Sequence, residues 1–251
     1  MNGEIENSMI DKITIVVVWY KKNQLDDFLD NINKQKDIDI TVISLDNSQN
    51  QYVGAREAFN SVINKIDTDY VLFLHPDVYF EDNTILIKML SVIRKLNKMG
   101  VAGVAGCREG KKWSILSNIV HGKNKSSAGD KIKKPEVVQT VDECMFFVQT
   151  DIIKKFPFSN INGWHMYAVE LCLQLLREGY INYVLPCDIW HKSSGSSLDS
   201  SYVLTLEKIV RLYSKDYKYI NTTVKQWKTR GLISSLYRKY YFFKQFVKRR
   251  I

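Results

Sequence analysis

The sequence contains no run approaching twenty apolar residues, so no segment is predicted to cross a bilayer as a helix. Its four cysteines, Cys107, Cys144, Cys172 and Cys187, stand far apart and form no Cys-x-x-Cys pair. That spacing argues against a zinc knuckle or a disulfide framework and makes reduced, cytosolic thiols the default. No Gly-x-Gly-x-x-Gly follows an apolar run, which removes the phosphate cradle of a nicotinamide-dependent dehydrogenase. Internal repeats and low-complexity linkers are missing as well. The polar, acidic start and the short apolar run 13–19 match neither a signal core nor a membrane anchor.

What is present fits a globular chain. At 251 residues, with 45% hydrophobic and 25% charged residues, the length suits one large α/β domain or one domain with an appendage. Charge is unevenly placed. Residues 205–251 carry 13 Lys and Arg against two acidic residues, whereas the rest carries 23 against 25. Within that tail Leu232, Leu236, Tyr240, Phe243 and Val247 recur at helical spacing, with Arg238, Lys239, Lys244, Lys248, Arg249 and Arg250 around them. An interfacial helix on an anionic membrane ranks first. Packing of the same stripe on the parent domain, or on a second copy as a homodimer, ranks close behind, and a nucleic-acid patch ranks last.

The elements alternate. Strands are predicted over 13–19, 38–45, 70–74 and 101–105, and helices over 24–34, 54–65 and 83–99. Residues 108–134 read as a mobile loop that encloses a strand at 113–120. A long strand over 137–149 is interrupted at Asp142-Glu143. A turn at Asn162-Gly163 opens a helix within 161–178, a short strand spans 180–185, His191 lies in a loop, and a helix spans 202–213.

Three successive strands end in polar residues, Tyr20, Asp46 and His75/Asp77, as a ligand crevice at one edge of a parallel sheet requires. Pro76 cannot donate to a ladder, so pairing stops there and Asp77 enters the crevice as a hard oxygen ligand for Mg²⁺ or Mn²⁺. His-Pro-Asp is equally good turn chemistry, and Asp77 as a plain cap stays open.

Ile13 to Val18, then Asp46-Asn47-Ser48, then Gly54-Ala55-Arg56-Glu57-Ala58-Phe59-Asn60, then Phe73-Leu74-His75-Pro76-Asp77 resembles the nucleotide-sugar half of family 2 glycosyltransferases. The later Gly163-Trp164-His165-Met166-Tyr167-Ala168-Val169-Glu170, followed by Gly179-Tyr180 and His191-x-Ser-x-Gly195, resembles the acceptor half. The resemblance covers about 13–213. It implies a GT-A-like α/β fold: a mixed central sheet with a Rossmann-like nucleotide-binding half over 1–213, plus a helical, basic C-terminal extension over 214–251.

The resemblance also implies roles. Tyr20, Asp46, Asn47, Arg56, Asn60, His75 and Asp77 take the nucleotide sugar. Asp46 reads a uracil or thymine imide, with an Asx turn as its alternative, and Arg56 and Asn60 grip phosphate or hydroxyl. Asp77 ends a His-x-Asp that replaces the family's Asp-x-Asp, and His191 joins it as a metal ligand that suits Mn²⁺ better than Mg²⁺. The base is open, because Ala168 stands where relatives carry an aspartate. Glu170, His165, Asp142 and Glu143 are the candidates.

The implied activity is inverting, metal-dependent hexosyl transfer from a UDP- or dTDP-sugar to a glycan or lipid-linked acceptor. Surface polysaccharide synthesis on the cytoplasmic face of the cell membrane is its setting. The alternative is a catalytically weak or silent relative that binds nucleotide or glycan and recruits partners, as His75 and Ala168 suggest. A sugar-nucleotide pyrophosphorylase would want glycines after the first strand, and Trp19-Tyr20-Lys21-Lys22-Asn23 has none.

Overall fold

Runs such as Ile13 to Val18 and Tyr70 to Leu74 put apolar groups on both faces of a strand, a pattern stable only where both faces are covered. In the computed structural model, which describes residues 11–193 and 200–248, these runs form the centre of a seven-stranded mixed sheet. Asp11–Trp19 lies between Ile38–Asp46 and Tyr70–Leu74 and runs parallel to both. Met145–Gln149 enters antiparallel between Tyr70–Leu74 and Met99–Gly103, and Ile181–Val184 and Glu136–Val138 complete the far edge.

Alternate side chains of one strand feed different layers. Ile15 and Val17 pack with Leu25 and Phe28 of helix Lys22–Ile32 and with Leu86 and Leu90 of helix Ile85–Ile93. Val16 and Val18 pack with Phe59 of helix Ala55–Asn60 and with Leu171 and Leu175 of helix Tyr167–Arg177. Each such burial stabilises by roughly 1.5–3 kcal/mol, so the central strands are the rigid frame from which the loops are hung.

A third cluster joins Met166, Val169 and Leu173 to Tyr202, Leu206 and Ile209 of helix Ser200–Tyr213 and to Ile220 and Trp227. The last two belong to a hairpin, Tyr219–Asn221 with Gln226–Lys228, within the stretch 214–251 that is expected to be a helical extension. Packing therefore does not divide the chain at residue 213. Trp227 is fully buried, and the Asn221 side chain donates to the carbonyls of Arg108 and Gly110. Net charge hid the apolar residues that do this.

Other elements are shorter than periodicity predicts. The helix expected over 83–99 is Ile85–Ile93, because Asp82 accepts from the Thr84 N–H and hydroxyl at its start and Lys98 adopts a positive φ of 45° before the next strand. The helix over 54–65 stops at Asn60, and a 3-10 turn Ile63–Lys65 follows. The stretch 137–149 divides into Glu136–Val138, Thr140–Val141 and Met145–Gln149. The stretch 113–120 gives Ile115–Ser117 and Val120–His121, and the short helix Thr150–Lys155 was not anticipated. Ser194 and Gly195 of the histidine loop, the acidic start before Asp11, Arg249, Arg250 and the Lys248 side chain lie outside the described residues. Among the described residues no helix is long and apolar enough to cross a membrane.

Candidate functional site

Four short strands, far apart in sequence, build the site. Tyr70–Leu74 ends at His75, and the Val78 N–H donates back to the His75 carbonyl at 3.2 Å, which turns the chain around Pro76. Val78–Tyr79 then pairs antiparallel with Trp190–His191, which pairs parallel with Val120–His121, and Ser126–Ser127 closes the small sheet. His191, expected in a loop, is thereby fixed in a strand opposite Val78 and beside His121.

The ligand atoms of His75, Asp77 and His191 all lie within 4.8 Å of one another. His191 Nε2 is 3.2 Å from Asp77 Oδ1 and 3.1 Å from the Ser193 hydroxyl. The His121 ring centroid is 5.5 Å from that of His191. His75, His121, His165 and His191, the four histidines of the chain, line one cleft of about 570 Å³ together with Asp142, Glu143, Tyr202, Thr223 and Tyr241.

The electrostatics suit a cation. Burial lowers the His75 pKa, which keeps its imidazole neutral, and the nearby Asp77 charge only partly offsets this. For Asp77 burial works against ionisation, but the hydrogen bond from His191 and the His191 charge bring it down to about 2. The Tyr167 hydroxyl lies 3.1 Å from the Glu143 carbonyl and 2.7 Å from His75 Nε2. A carbonyl only accepts, so the hydroxyl proton goes there, His75 carries its proton on Nε2, and the Nδ1 lone pair is left to act as a ligand. Two imidazoles and one ionised carboxylate fit a divalent ion such as Mn²⁺, and an all-oxygen preference such as that of Mg²⁺ fits them less well.

Two further carboxyl groups face the cleft. Asp142 accepts from the Thr223 hydroxyl at 2.6 Å and from the Cys144 N–H at 3.0 Å, and although burial opposes its charge these bonds hold its pKa below the ordinary value. Glu143 takes the Tyr167 N–H at 2.6 Å at the start of helix Tyr167–Arg177. Burial and then the Asp142 charge push Glu143 up to about 8, against the pull of Arg56 and of the Tyr167 and Ala168 N–H groups.

Other anticipated residues lie elsewhere. Arg56 and Glu170 form a buried ion pair at 2.6 Å, only 1% and 3% exposed, and Arg56 also donates to the carbonyls of His165 and Met166. This corrects two expectations, since the guanidinium is spent on protein acceptors and the Glu170 carboxylate is shut away from any acceptor hydroxyl. Asn60 likewise exchanges both hydrogen bonds of its amide with the Phe158 backbone. Ala168 is fully buried.

Tyr20, Asp46 and Asn47 do gather, at the adjacent ends of Asp11–Trp19 and Ile38–Asp46. Exposed Asp46 accepts the Ser48 N–H at 2.7 Å, and Asn47 accepts the Tyr52 N–H at 2.9 Å. The Tyr20 ring packs edge-on against Trp164 at 5.4 Å. His121, Tyr167, Tyr202 and Thr223 were not anticipated as site residues. For His121 a signal existed, because Ile119-Val120-His121 repeats the apolar-apolar-His pattern of Ile189-Trp190-His191, and the two stretches pair side by side.

A family model, described as Glycosyltransferase like family, matches residues 15–213. Among solved structures the fold resembles the mannosyltransferase PcManGT from Pyrobaculum calidifontis in complex with GDP-Man and Mn²⁺, with a TM-score of 0.55 at 9% identity over 84% of this chain and 66% of that one. It also resembles S. aureus TarS 1-349 in complex with UDP-GlcNAc, with a TM-score of 0.50 at 11% identity over 80% of this chain and 66% of that one. The chain thus spans just under two thirds of the length of each. At such identities the likeness establishes the fold, which is that of GT-A glycosyltransferases. No curated protein matches the sequence.

Proposed function

Because the chain belongs to the Glycosyltransferase like family, we propose that it transfers a sugar, with inversion, from a UDP- or dTDP-activated donor to a glycan or lipid-linked acceptor. The observation that carries the reading is the convergence of His75, His191 and Asp142 at one cleft beyond the ends of the parallel strands, with Asp77 within ligand distance of the two histidines. Tyr20, Asp46 and Asn47 take the base and ribose, with exposed Asp46 accepting the imide N–H that uracil and thymine share.

Transfer forms a bond from the acceptor hydroxyl oxygen to the anomeric carbon and breaks the bond from that carbon to the diphosphate oxygen, which leaves with the electron pair. His75, Asp77 and His191 would hold Mn²⁺ or Mg²⁺, and such an ion would supply positive charge to offset that of the diphosphate. The hydroxyl proton goes to a base, and Asp142 is the group best placed to take it. Its carboxylate is held ionised, lines the cleft and is electrostatically coupled to His75, His121 and His191. Glu143 instead anchors the Tyr167–Arg177 helix. A cytoplasmic site on the inner face of the membrane suits a cytosolic nucleotide sugar and a membrane-bound glycan.

Calorimetry with UDP and dTDP, with and without Mn²⁺, tests this. The wild type binds in a metal-dependent way, Asp77→Ala loses that dependence, and Asp142→Asn binds nucleotide but fails to release it from a sugar donor. Wild-type binding in both Asp77→Ala and Asp46→Ala would reject the assignment. A second reading, a weak or silent nucleotide- or glycan-binding relative, draws on buried Ala168 and on the Arg56–Glu170 pair. It gains if wild type and Asp142→Asn bind donor equally and neither turns it over.

A further inference from the structure

The C-terminal helix Leu232–Lys248 has two opposed faces. On one, Arg238 is buried and donates to Glu207 and to the Lys228 carbonyl, both at 2.7 Å, while Tyr241 and Phe242 pack into the third cluster. Tyr241 continues from there into the lining of the histidine cleft, with its ring 5.1 Å from that of Trp227. Packing on the domain, one of the alternatives for this stripe of residues, thus uses Arg238, Tyr241 and Phe242 and leaves the stripe itself bare.

The opposite face carries Leu232, Leu236, Tyr240, Phe243 and Val247, spaced four, four, three and four residues apart, so they form one line along the helix. All five are exposed, Leu232 and its neighbour Ile233 each to 83%. Exposed Lys239 and Lys244 border the line on its two sides. No acidic residue occurs in 231–251.

We propose that this stripe docks on an anionic lipid bilayer, a step that rests on the sugar-transfer reading only for its purpose, which is to hold the cleft beside a lipid-linked acceptor. The charge decides for lipid over a second copy of the chain. A two-fold contact through this stripe would bring two lysine-bordered, acid-free rims together, and like charges across an interface oppose association. Anionic headgroups neutralise the same rims while the aromatic and aliphatic line enters the acyl boundary. Because Tyr241 projects from the reverse of the same helix into the cleft, a docked helix fixes the cleft's position relative to the lipid surface.

Co-sedimentation of the full chain with vesicles of phosphatidylglycerol and phosphatidylcholine in equal parts tests the proposal. The expected result is binding that high salt weakens, that pure phosphatidylcholine does not support, and that Leu236→Glu with Phe243→Glu reduces by at least about tenfold. Both positions are exposed, so the double variant should keep the wild-type melting temperature. Absence of vesicle binding by the wild type, or vesicle binding that the double variant retains, overturns the proposal. So does a dimer by analytical ultracentrifugation that the double variant dissociates, because the stripe would then belong to a second copy. Nucleoside diphosphate binding, measured on the same samples, keeps the two readings apart, because vesicle binding without nucleotide binding rejects sugar transfer and leaves the docking face standing.

Discussion

Two polar constellations flank the start of helix Tyr167–Arg177, and they differ in how fully their hydrogen bonds are used. Around Arg56 the donors are consumed by Glu170 and by the carbonyls of His165 and Met166 in a dry interior. Around His191 the His75 imidazole and the Asp142 carboxylate face open volume, and Asp77 bonds to His191 at its margin. Both contain residues of catalytic type. Only the second leaves lone pairs and charge for a ligand, so saturation rather than residue type separates framework from site.

The largest effect should come from breaking the saturated constellation. Arg56→Ala leaves Glu170 as a buried, unpaired charge and frees the backbone that Arg56 pins, including Met166, which enters the helix with a positive φ of 60°. Truncating one partner of such a pair costs about 3–5 kcal/mol, read as a large fall in melting temperature or denaturant midpoint. A stability unchanged from wild type would mean that the pair is not the framework described. Asp77→Ala should do the reverse. It should leave folding nearly intact but lower Mn²⁺-dependent nucleoside diphosphate affinity on the order of a hundredfold by calorimetry, since a lost ligand costs at least the upper end of the 10–100-fold typical when a group that merely orients a ligand is lost.

The same contrast explains what could be read from the chain. The strands were legible because Ile13 to Val18, but for Thr14, and Tyr70 to Leu74 are apolar, and strand ends pointed to Asp46, His75 and Asp77. Burial of Arg56 and Glu170 was not legible, because it depends on partners 114 residues apart. His121 and Thr223 reach the cleft through pairings of two- and three-residue strands and a hairpin too short to leave a periodic signal. The Trp227 side chain sits in the core although its neighbours carry the chain's excess positive charge.

Glu143 sharpens the comparison on its boundary, being clamped like the first constellation but facing the cleft like the second. With its folded pKa near 8 and an ordinary value of 4.5, the native state keeps a proton that the unfolded chain releases between those pH values. Native proton binding exceeds unfolded binding in that window, so this group makes stability fall as pH rises from about 4.5 to about 8, by roughly 1.4 kcal/mol per unit at the steepest. Glu143→Gln can still accept the Tyr167 N–H and carries no charge. Urea titrations across this range should show the variant losing less stability than the wild type and overtaking it at the alkaline end. Parallel curves for the two proteins would mean that Glu143 is ionised throughout.

The smallest expected effect concerns a residue in neither constellation that orders one of them. Tyr167 contributes its N–H to Glu143 and its hydroxyl to His75, so Tyr167→Phe keeps the ring and the backbone bond and removes only the group that holds the His75 proton on Nε2. His75 can then take either tautomer, and the one with its proton on Nδ1 no longer offers that lone pair. Loss of an outer partner of this kind typically lowers metal affinity 10–100-fold. The lower end, about tenfold, is expected because His191 and Asp77 are untouched. Mn²⁺ titration followed by paramagnetic relaxation reads the affinity directly, with a melting temperature near that of the wild type as the check on folding. An affinity equal to wild type would show that His75 is oriented by the strand end alone, or that it is not a ligand. Repeating the titration in Tyr167→Phe with His75→Ala separates these outcomes, since His75→Ala lowers affinity only if the imidazole holds the metal.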